Sequence, residues 1–252
     1  TCMRDASDII KRFENVQNVD IYGMSNFVFQ FIGDYFPNQI KFDREAINVT
    51  TIDIEVASDE GFPLPEYAAH PVISITCKNN IDNIYYVWGT REYDVDKNEK
   101  NIKYFYCETE ENLLTSFLGW WSSESTCPDI VTGWNTRLFD IPYLVNRMHK
   151  FFPEEEVNRL SPWKLVRSRK VHTKMGQEAQ AYDLEGISQL DYYDLFQKFG
   201  VLTYGQQESF KLDHIAWSVL GEQKLSYEEY GSLHALYKHD YQKFIDYNIK
   251  DV

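Results

Sequence analysis

Polar and apolar residues alternate most regularly over residues 48–56, where Ile52, Ile54 and Val56 are interleaved with Thr51, Asp53 and Glu55. A period of two, rich in β-branched residues, predicts a strand. Residues 72–77 and 84–88 follow at hairpin-like intervals, separated by Asn79-Asn80-Ile81-Asp82, and residues 102–107 form another short apolar run. The period then changes. Leu113, Leu114, Phe117, Leu118 and Trp121 recur at helical spacing within 110–121. A short buried strand is predicted over 129–133 and helices over 138–152, 191–199, 212–220 and 233–251. Residues 167–184 place Met175-Gly176 between two extended stretches and read as a β-hairpin. Near the start, Ile9, Ile10 and Phe13 predict a helix over 5–15 capped by Ser7 or Asp5, and residues 27–31 read as a strand. Strands followed by alternating helices and strands imply an α/β fold, a mixed sheet with helices on its faces.

A chain of 252 residues fits one large domain, or one domain with an appendage, and can bury a sizeable core. Aromatic residues make up 16 %, available both for packing and for stacking on bases. The net charge of −14 argues against a protein held to nucleic acid by a broad basic surface. Cys2, Cys77, Cys107 and Cys127 form no C-x-x-C pair, and the histidines show no ligand spacing with them. That points to a reducing, cytoplasmic compartment and to structural histidines rather than a zinc site. No apolar run is long enough to span a membrane, and no signal peptide is legible. The chain opens Thr1-Cys2-Met3 and ends one residue after Asp251, so both ends are expected to continue into something longer.

The candidate chemistry lies in four carboxylates on three separated segments: Asp53 and Glu55, Asp140, and Asp251. Asp53 and Glu55 are two apart on a strand and share one face, while Ile52, Ile54 and Val56 point the other way. By spacing alone a solvated polar face explains the pair as well as a cation site does. Asp140 follows Trp134-Asn135 where a strand leads into a helix; taken singly, it is better explained as a helix N-terminal acid. Tyr247 and Asp251 are four apart and share a helix face; taken singly, they suit an exposed acidic helix end with a packed tyrosine. If the fold gathers the four acids, they form an all-oxygen site for Mg²⁺ or Mn²⁺. Asp191 and Asp194 read as a local cap and a structural acid, with a place at the edge of the site as the other reading, and Glu154-Glu155-Glu156 as a solvated helix start.

The order of these segments resembles the 3′→5′ proofreading exonuclease domain of family B DNA polymerases, nearest the replicative polymerases of T4-like bacteriophages. Met3-Arg4-Asp5-Ala6-Ser7, Asp53-Ile54-Glu55-Val56, Gly61-Phe62-Pro63, His70-Pro71, Thr132-Gly133-Trp134-Asn135, Phe139-Asp140-Ile141-Pro142-Tyr143, Arg159-Leu160-Ser161-Pro162, Gly186-Ile187-Ser188, Leu190-Asp191-Tyr192 and the closing stretch from Tyr247 all carry the likeness. Each string is weak by itself; three acidic motifs in the right order are a strong signal. The resemblance implies a ribonuclease-H-like fold over 48–252 with a β-hairpin insertion at about 167–184. Residues 1–47 would be an N-terminal region, with the polymerase module absent from this chain.

The resemblance further implies two divalent cations, Mg²⁺ or Mn²⁺, held by Asp53, Glu55, Asp140 and Asp251. Tyr247 would orient the attacking water. Some relatives carry a histidine one position earlier; here that position is Asp246, which favours the tyrosine subclass. Phe62 would stack on or wedge beside a terminal base, with Asn135 and Phe139 also at the DNA; a loop aromatic closing over the core is the other reading of Phe62. The hairpin tip lacks the arginine expected there, although Lys170, His172 and Lys174 lie nearby. The expected partners are a single-stranded DNA 3′ end and a polymerase module in the same or a partner chain. Two other readings stand beside this one. The chain could be a non-catalytic fragment that docks a polymerase partner or binds nucleic acid, or an RNA-processing exonuclease of the same fold.

Overall fold

The computed structural model describes residues 3–22, 27–58, 61–172, 176 and 178–252. The chain divides into two units, residues 1–44 and 45–252. The first unit holds helices α1 (Met3–Phe13) and α2 (Phe27–Tyr35). Helix α1 begins at Met3, upstream of the two caps suggested by the sequence. Helix α2 corrects the strand expected over 27–31. A short, mostly apolar run such as 27–31 does not reveal its period. Here it continues to Tyr35, where Phe31 and Tyr35 stack one helical turn apart with ring centroids 5.2 Å from each other.

The second unit is built on a six-stranded mixed sheet. Strands β1 (Val49–Val56), β2 (Val72–Asn79) and β3 (Tyr85–Gly89) form an antiparallel meander, as the short intervals predict. Strand β4 (Ile102–Tyr106) joins β3 in parallel, and β5 (Ile130–Thr132) and β8 (Ser188–Gln189) extend the other side in parallel. On one face of the sheet, Ile52, Ile54, Ile75, Cys77 and Trp88 meet helices α3 (Glu110–Trp121) and α4 (Asp140–Met148) in the main core. On the other face, Ile73 and Val87 pack with Phe244, Ile245 and Ile249 of the last helix. A bulge after Glu55 shifts the register of β1 against β2, and Ile73 falls into this second cluster. The mixed sheet, its flanking helices and a separate two-stranded hairpin agree with the ribonuclease-H-like exonuclease fold expected above.

That hairpin pairs β6 (Val166–His172) with β7 (Glu178–Leu184). Its basic residues are matched across the strands: Arg169 with Asp183 at 2.8 Å and Lys170 with Glu178 at 2.9 Å. Lys174, Met175 and Gln177 of the tip lie outside the described residues. Between the sheet and the last helix run α5 (Glu154–Val157), α6 (Tyr192–Leu195), a widened π-helical turn over Phe196–Gly200, α7 (Val201–Tyr204) and α8 (Leu212–Leu220). The helix expected over 233–251 is two. Helix α9 (Leu233–His239) stops at Asp240, whose carboxylate accepts from the Lys243 N–H and starts α10 (Tyr241–Asp251).

Residues 65–70 follow Phe62 and run as loop, yet their backbone groups are held by helix side chains. Arg147 donates to the carbonyls of Ala68 and Ala69, Asn146 to that of Pro65, and the Tyr143 hydroxyl bonds both N–H and C=O of His70. Arg147 is fixed in turn by a two-pronged ion pair with Glu110, at 2.7 and 2.6 Å, with both side chains about nine-tenths buried. Arg147→Met is expected to lower unfolding free energy by about 3 kcal/mol, because it strands a buried carboxylate. A lower urea midpoint reads this out, and adding Glu110→Leu should recover part of the loss. Additive losses in the double variant would contradict the assignment.

Candidate active site

Asp53 and Glu55 project from the same face of β1, opposite Thr76 and Ser74 of β2 respectively. The strand pattern forces this: Ile52 and Ile54 are buried on the reverse face. Helix α10 packs across β1, β2 and β3 on the acidic side. Its buried stripe of Phe244, Ile245 and Ile249 aims Tyr247 and Asp251 at the two strand acids. Carboxylate oxygens of Asp53, Glu55 and Asp251 lie within 4.8 Å of one another. Asp246, the residue before Tyr247, faces elsewhere, accepting from the Tyr93 hydroxyl and the Asn98 amide.

Asp140 reaches the cluster's edge by another route. Strand β5 ends at Thr132, opposite Thr51, and the Ile54 N–H beyond it donates to Asp140 Oδ1 at 3.0 Å. Asp140 is the first residue of α4 and is buried. The connecting loop depends on Gly133, where φ is +151° and a Cβ would stand 2.5 Å from the Ile52 carbonyl oxygen. Asn135 follows in the left-handed region at φ +66°. Asp191, the cap of α6, accepts from the N–H groups of Asn135, Arg137 and Tyr193 and so pins this loop. Asp191 is thus the local cap that its position in the sequence suggested. Phe62 is 70 % exposed, and its ring lies 5.1 Å from that of Phe139, so the two phenylalanines form one patch rather than a lid on the core.

Two further residues reach the acids. Lys224 lies in a coil between α8 and α9. Its ammonium is 2.5 Å from Asp251 Oδ2 and 3.2 Å from the Tyr247 hydroxyl. A cleft of about 600 Å³, lined by Trp217 and Tyr227, opens beside Lys224 and Tyr247. Asn248 is fully buried and donates to Asp53 Oδ2 at 2.7 Å. Nothing in the coil could have pointed to Lys224. Asn248 had a signal: a polar residue one turn after Phe244 on an apolar stripe.

Crowding shows in the acid–base properties. Desolvation, then the charges of Asp140, Glu55 and Asp251, raise the pKa of Asp53 well above 3.8. Desolvation and the Asp251 charge push Glu55 from 4.5 to about 8. Desolvation carries Asp140 from 3.8 to about 7, against the Ile54 hydrogen bond that favours its anion. Asp251 is raised by burial, with Lys224 opposing. Burial and the Asp251 charge keep Tyr247 a neutral phenol. Burial disfavours the charge on Lys224, but Asp251 and Tyr247 outweigh it and its pKa is raised. The residues fit a hard divalent cation: the donors are all carboxylate oxygens, and among the described residues Lys224 is the cation that opposes their charge.

These shifts fix the sign of the pH dependence without added metal. The folded chain holds protons that the unfolded chain releases, so stability is greatest below the unfolded pKa values and falls as pH rises through the folded ones. For Glu55 and Asp140 the window runs from about 4 to about 8. Chemical denaturation in EDTA should therefore show falling stability across that window. Glu55→Gln should flatten the slope, and an unchanged slope would rule out this assignment.

Comparison with known proteins gives the family. Residues 29–215 match the family model "DNA polymerase family B, exonuclease domain", a span that includes Asp53, Glu55 and Asp140. The DNA-directed DNA polymerase of Escherichia phage RB69 is 35 % identical over 273 aligned positions, covering 99 % of this chain and 29 % of that polymerase. The DNA-directed DNA polymerase of Enterobacteria phage T4 is 30 % identical with the same coverage of each chain. The chain therefore spans about 29 % of the length of these relatives. With a match over most of its residues, the chain belongs to the exonuclease domains of DNA polymerase family B.

Proposed function

We propose that the chain is a metal-dependent 3′→5′ DNA exonuclease that removes nucleoside 5′-monophosphates from single-stranded 3′ ends, the proofreading part of a polymerase. The observation that carries this reading is the meeting of Asp53, Glu55 and Asp251 within 4.8 Å, with Tyr247 and Lys224 beside them. Asp53, Glu55 and Asp251 would hold one divalent cation, and Asp53 with Asp140 a second. Bound Mg²⁺ or Mn²⁺ would lower the pKa of water and offset charge on the scissile phosphate.

The remaining work falls to the chain's own side chains. The Tyr247 hydroxyl accepts from Lys224 and keeps a lone pair for a proton of the attacking water, which orients that water. Its neutral state follows from burial and the neighbouring Asp251 charge, which supports a positioning role and the tyrosine subclass. Lys224 holds Asp251 and Tyr247 in one arrangement and supplies positive charge where a phosphate would arrive. Exposed Phe62, beside the half-buried Phe139, offers an aromatic surface for the terminal base, a contact indifferent to base identity. The loop of Asn135 borders the same approach. The hairpin's cross-strand ion pairs leave Lys170 already matched, so the phosphate grip would come from a polymerase module in the same or a partner chain.

Incubation of 3′- and 5′-labelled single-stranded DNA with Mg²⁺, Mn²⁺ or EDTA tests this. Metal-dependent release of mononucleotides from the 3′ end is expected, lost in Asp53→Ala. No cleavage by a folded chain in Mn²⁺ would favour a docking module instead. Tyr247→Phe should lower kcat about 10²-fold, the scale of a misplaced reactant, with little change in KM. Phe62→Ala should raise KM for single-stranded DNA by a factor of about 5–150, since stacking on a base is worth about 1–3 kcal/mol.

A further inference from the structure

Asn248 lies behind the acidic cluster, fully buried, and its amide makes three hydrogen bonds. Nδ2 donates to Asp53 Oδ2 at 2.7 Å, while Oδ1 accepts from Ser74 Oγ at 2.8 Å and Thr76 Oγ1 at 2.6 Å. Ser74 and Thr76 are fully buried too. The strand register sets Thr76 opposite Asp53 and Ser74 opposite Glu55, so hydroxyls and acids share one face of the sheet. In this arrangement the NH₂ end of the amide faces Asp53 and the carbonyl end faces the hydroxyls, the orientation required once a cation holds Asp53 ionised, because an ionised carboxylate only accepts hydrogen bonds. At this position no side chain of similar size replaces it. Aspartate has no donor for Asp53, leucine has no polar atom, and glutamine is one methylene longer.

Asn248 also sits on α10 between Tyr247 and Asp251. The same three bonds therefore orient Asp53 and seat the helix that delivers Asp251. Lys224 grips Asp251 from the solvent side, whereas Asn248 ties the opposite, buried side to β1 and β2. We propose that Asn248, through Ser74 and Thr76, is a positioning residue of the acidic centre: it sets the spacing of Asp53 and Asp251, and hence the affinity for a divalent cation, without touching DNA. This rests on the reading of Asp53, Glu55 and Asp251 as a metal centre.

The test is calorimetric titration of the full chain with Mn²⁺ in the absence of DNA, beside thermal melting and single-stranded DNA kinetics. Asn248→Leu should weaken Mn²⁺ binding about tenfold or more, the scale seen when a group that orients a metal ligand is lost. At limiting Mn²⁺ its kcat should fall, KM for DNA should hold, and added Mn²⁺ should restore part of the rate. Ser74→Ala with Thr76→Val keeps the bond to Asp53 but frees the far end of the amide, so a smaller loss is expected. Combining all three substitutions should add nothing beyond Asn248→Leu, because both routes pass through one amide. A lowered melting temperature with wild-type Mn²⁺ affinity in Asn248→Leu would overturn the proposal and leave Asn248 a packing residue. If Asn248→Leu does not fold, the hydroxyl pair decides: weakened Mn²⁺ binding supports the proposal and wild-type binding overturns it. A wild-type chain that binds no Mn²⁺ would sink the metal-centre reading and this inference together. Wild-type binding with unaffected variants would sink the inference alone.

Discussion

Asp53, Glu55 and Asp251 hold carboxylate oxygens within 4.8 Å of one another, and negative charges at that spacing repel unless something offsets them. Much of the second unit is arranged to impose and tolerate that repulsion. Asp53 receives the Asn248 amide, Asp140 the Ile54 N–H, and Asp251 the Lys224 ammonium. Each donor comes from a different element, so the acids are fixed one by one rather than as a surface patch free to splay. Burial, first of all, still raises the pKa of Glu55 and Asp140, and for Glu55 the Asp251 charge adds to it. A divalent cation would relieve that crowding, which is why the cluster is read as a metal centre.

Irregular backbone near the acids is held in the same way, by side chains from regular elements. The N–H groups of the loop around Asn135 converge on the Asp191 carboxylate, and the carbonyls of residues 65–70 are taken by Asn146, Arg147 and Tyr143. Buried backbone groups must find partners, and here the partners fix where Phe62 and Phe139 stand. Asn146 also accepts from the Tyr182 hydroxyl of the hairpin, so α4 braces both the loop after Phe62 and the base of β7.

The net charge of −14 fits this picture better than it fits a protein that grips DNA by itself. Basic side chains of the hairpin are spent on cross-strand acids. Lys224 faces the carboxylates. Under the proposed function, the surface would offer a single strand an aromatic contact at Phe62 and Phe139, and stacking of that kind does not read sequence.

Much of this was legible in one dimension. Period-two alternation marked β1 and put Asp53 and Glu55 on one face, helical spacing joined Tyr247 to Asp251, and the order of the acidic motifs carried the family resemblance. Local period did not decide everything. The run from Phe27 reads equally as strand or helix, and the break at Asp240 is a capping event inside an otherwise continuous helical pattern. Tertiary structure alone brought Lys224 to Asp251 and Asn248 to Asp53, the latter across 195 residues. A strand or helix follows from its own sequence because its hydrogen bonds and its buried face are local. The partner of a buried charge is chosen by packing at long range, and no spacing along the chain encodes it.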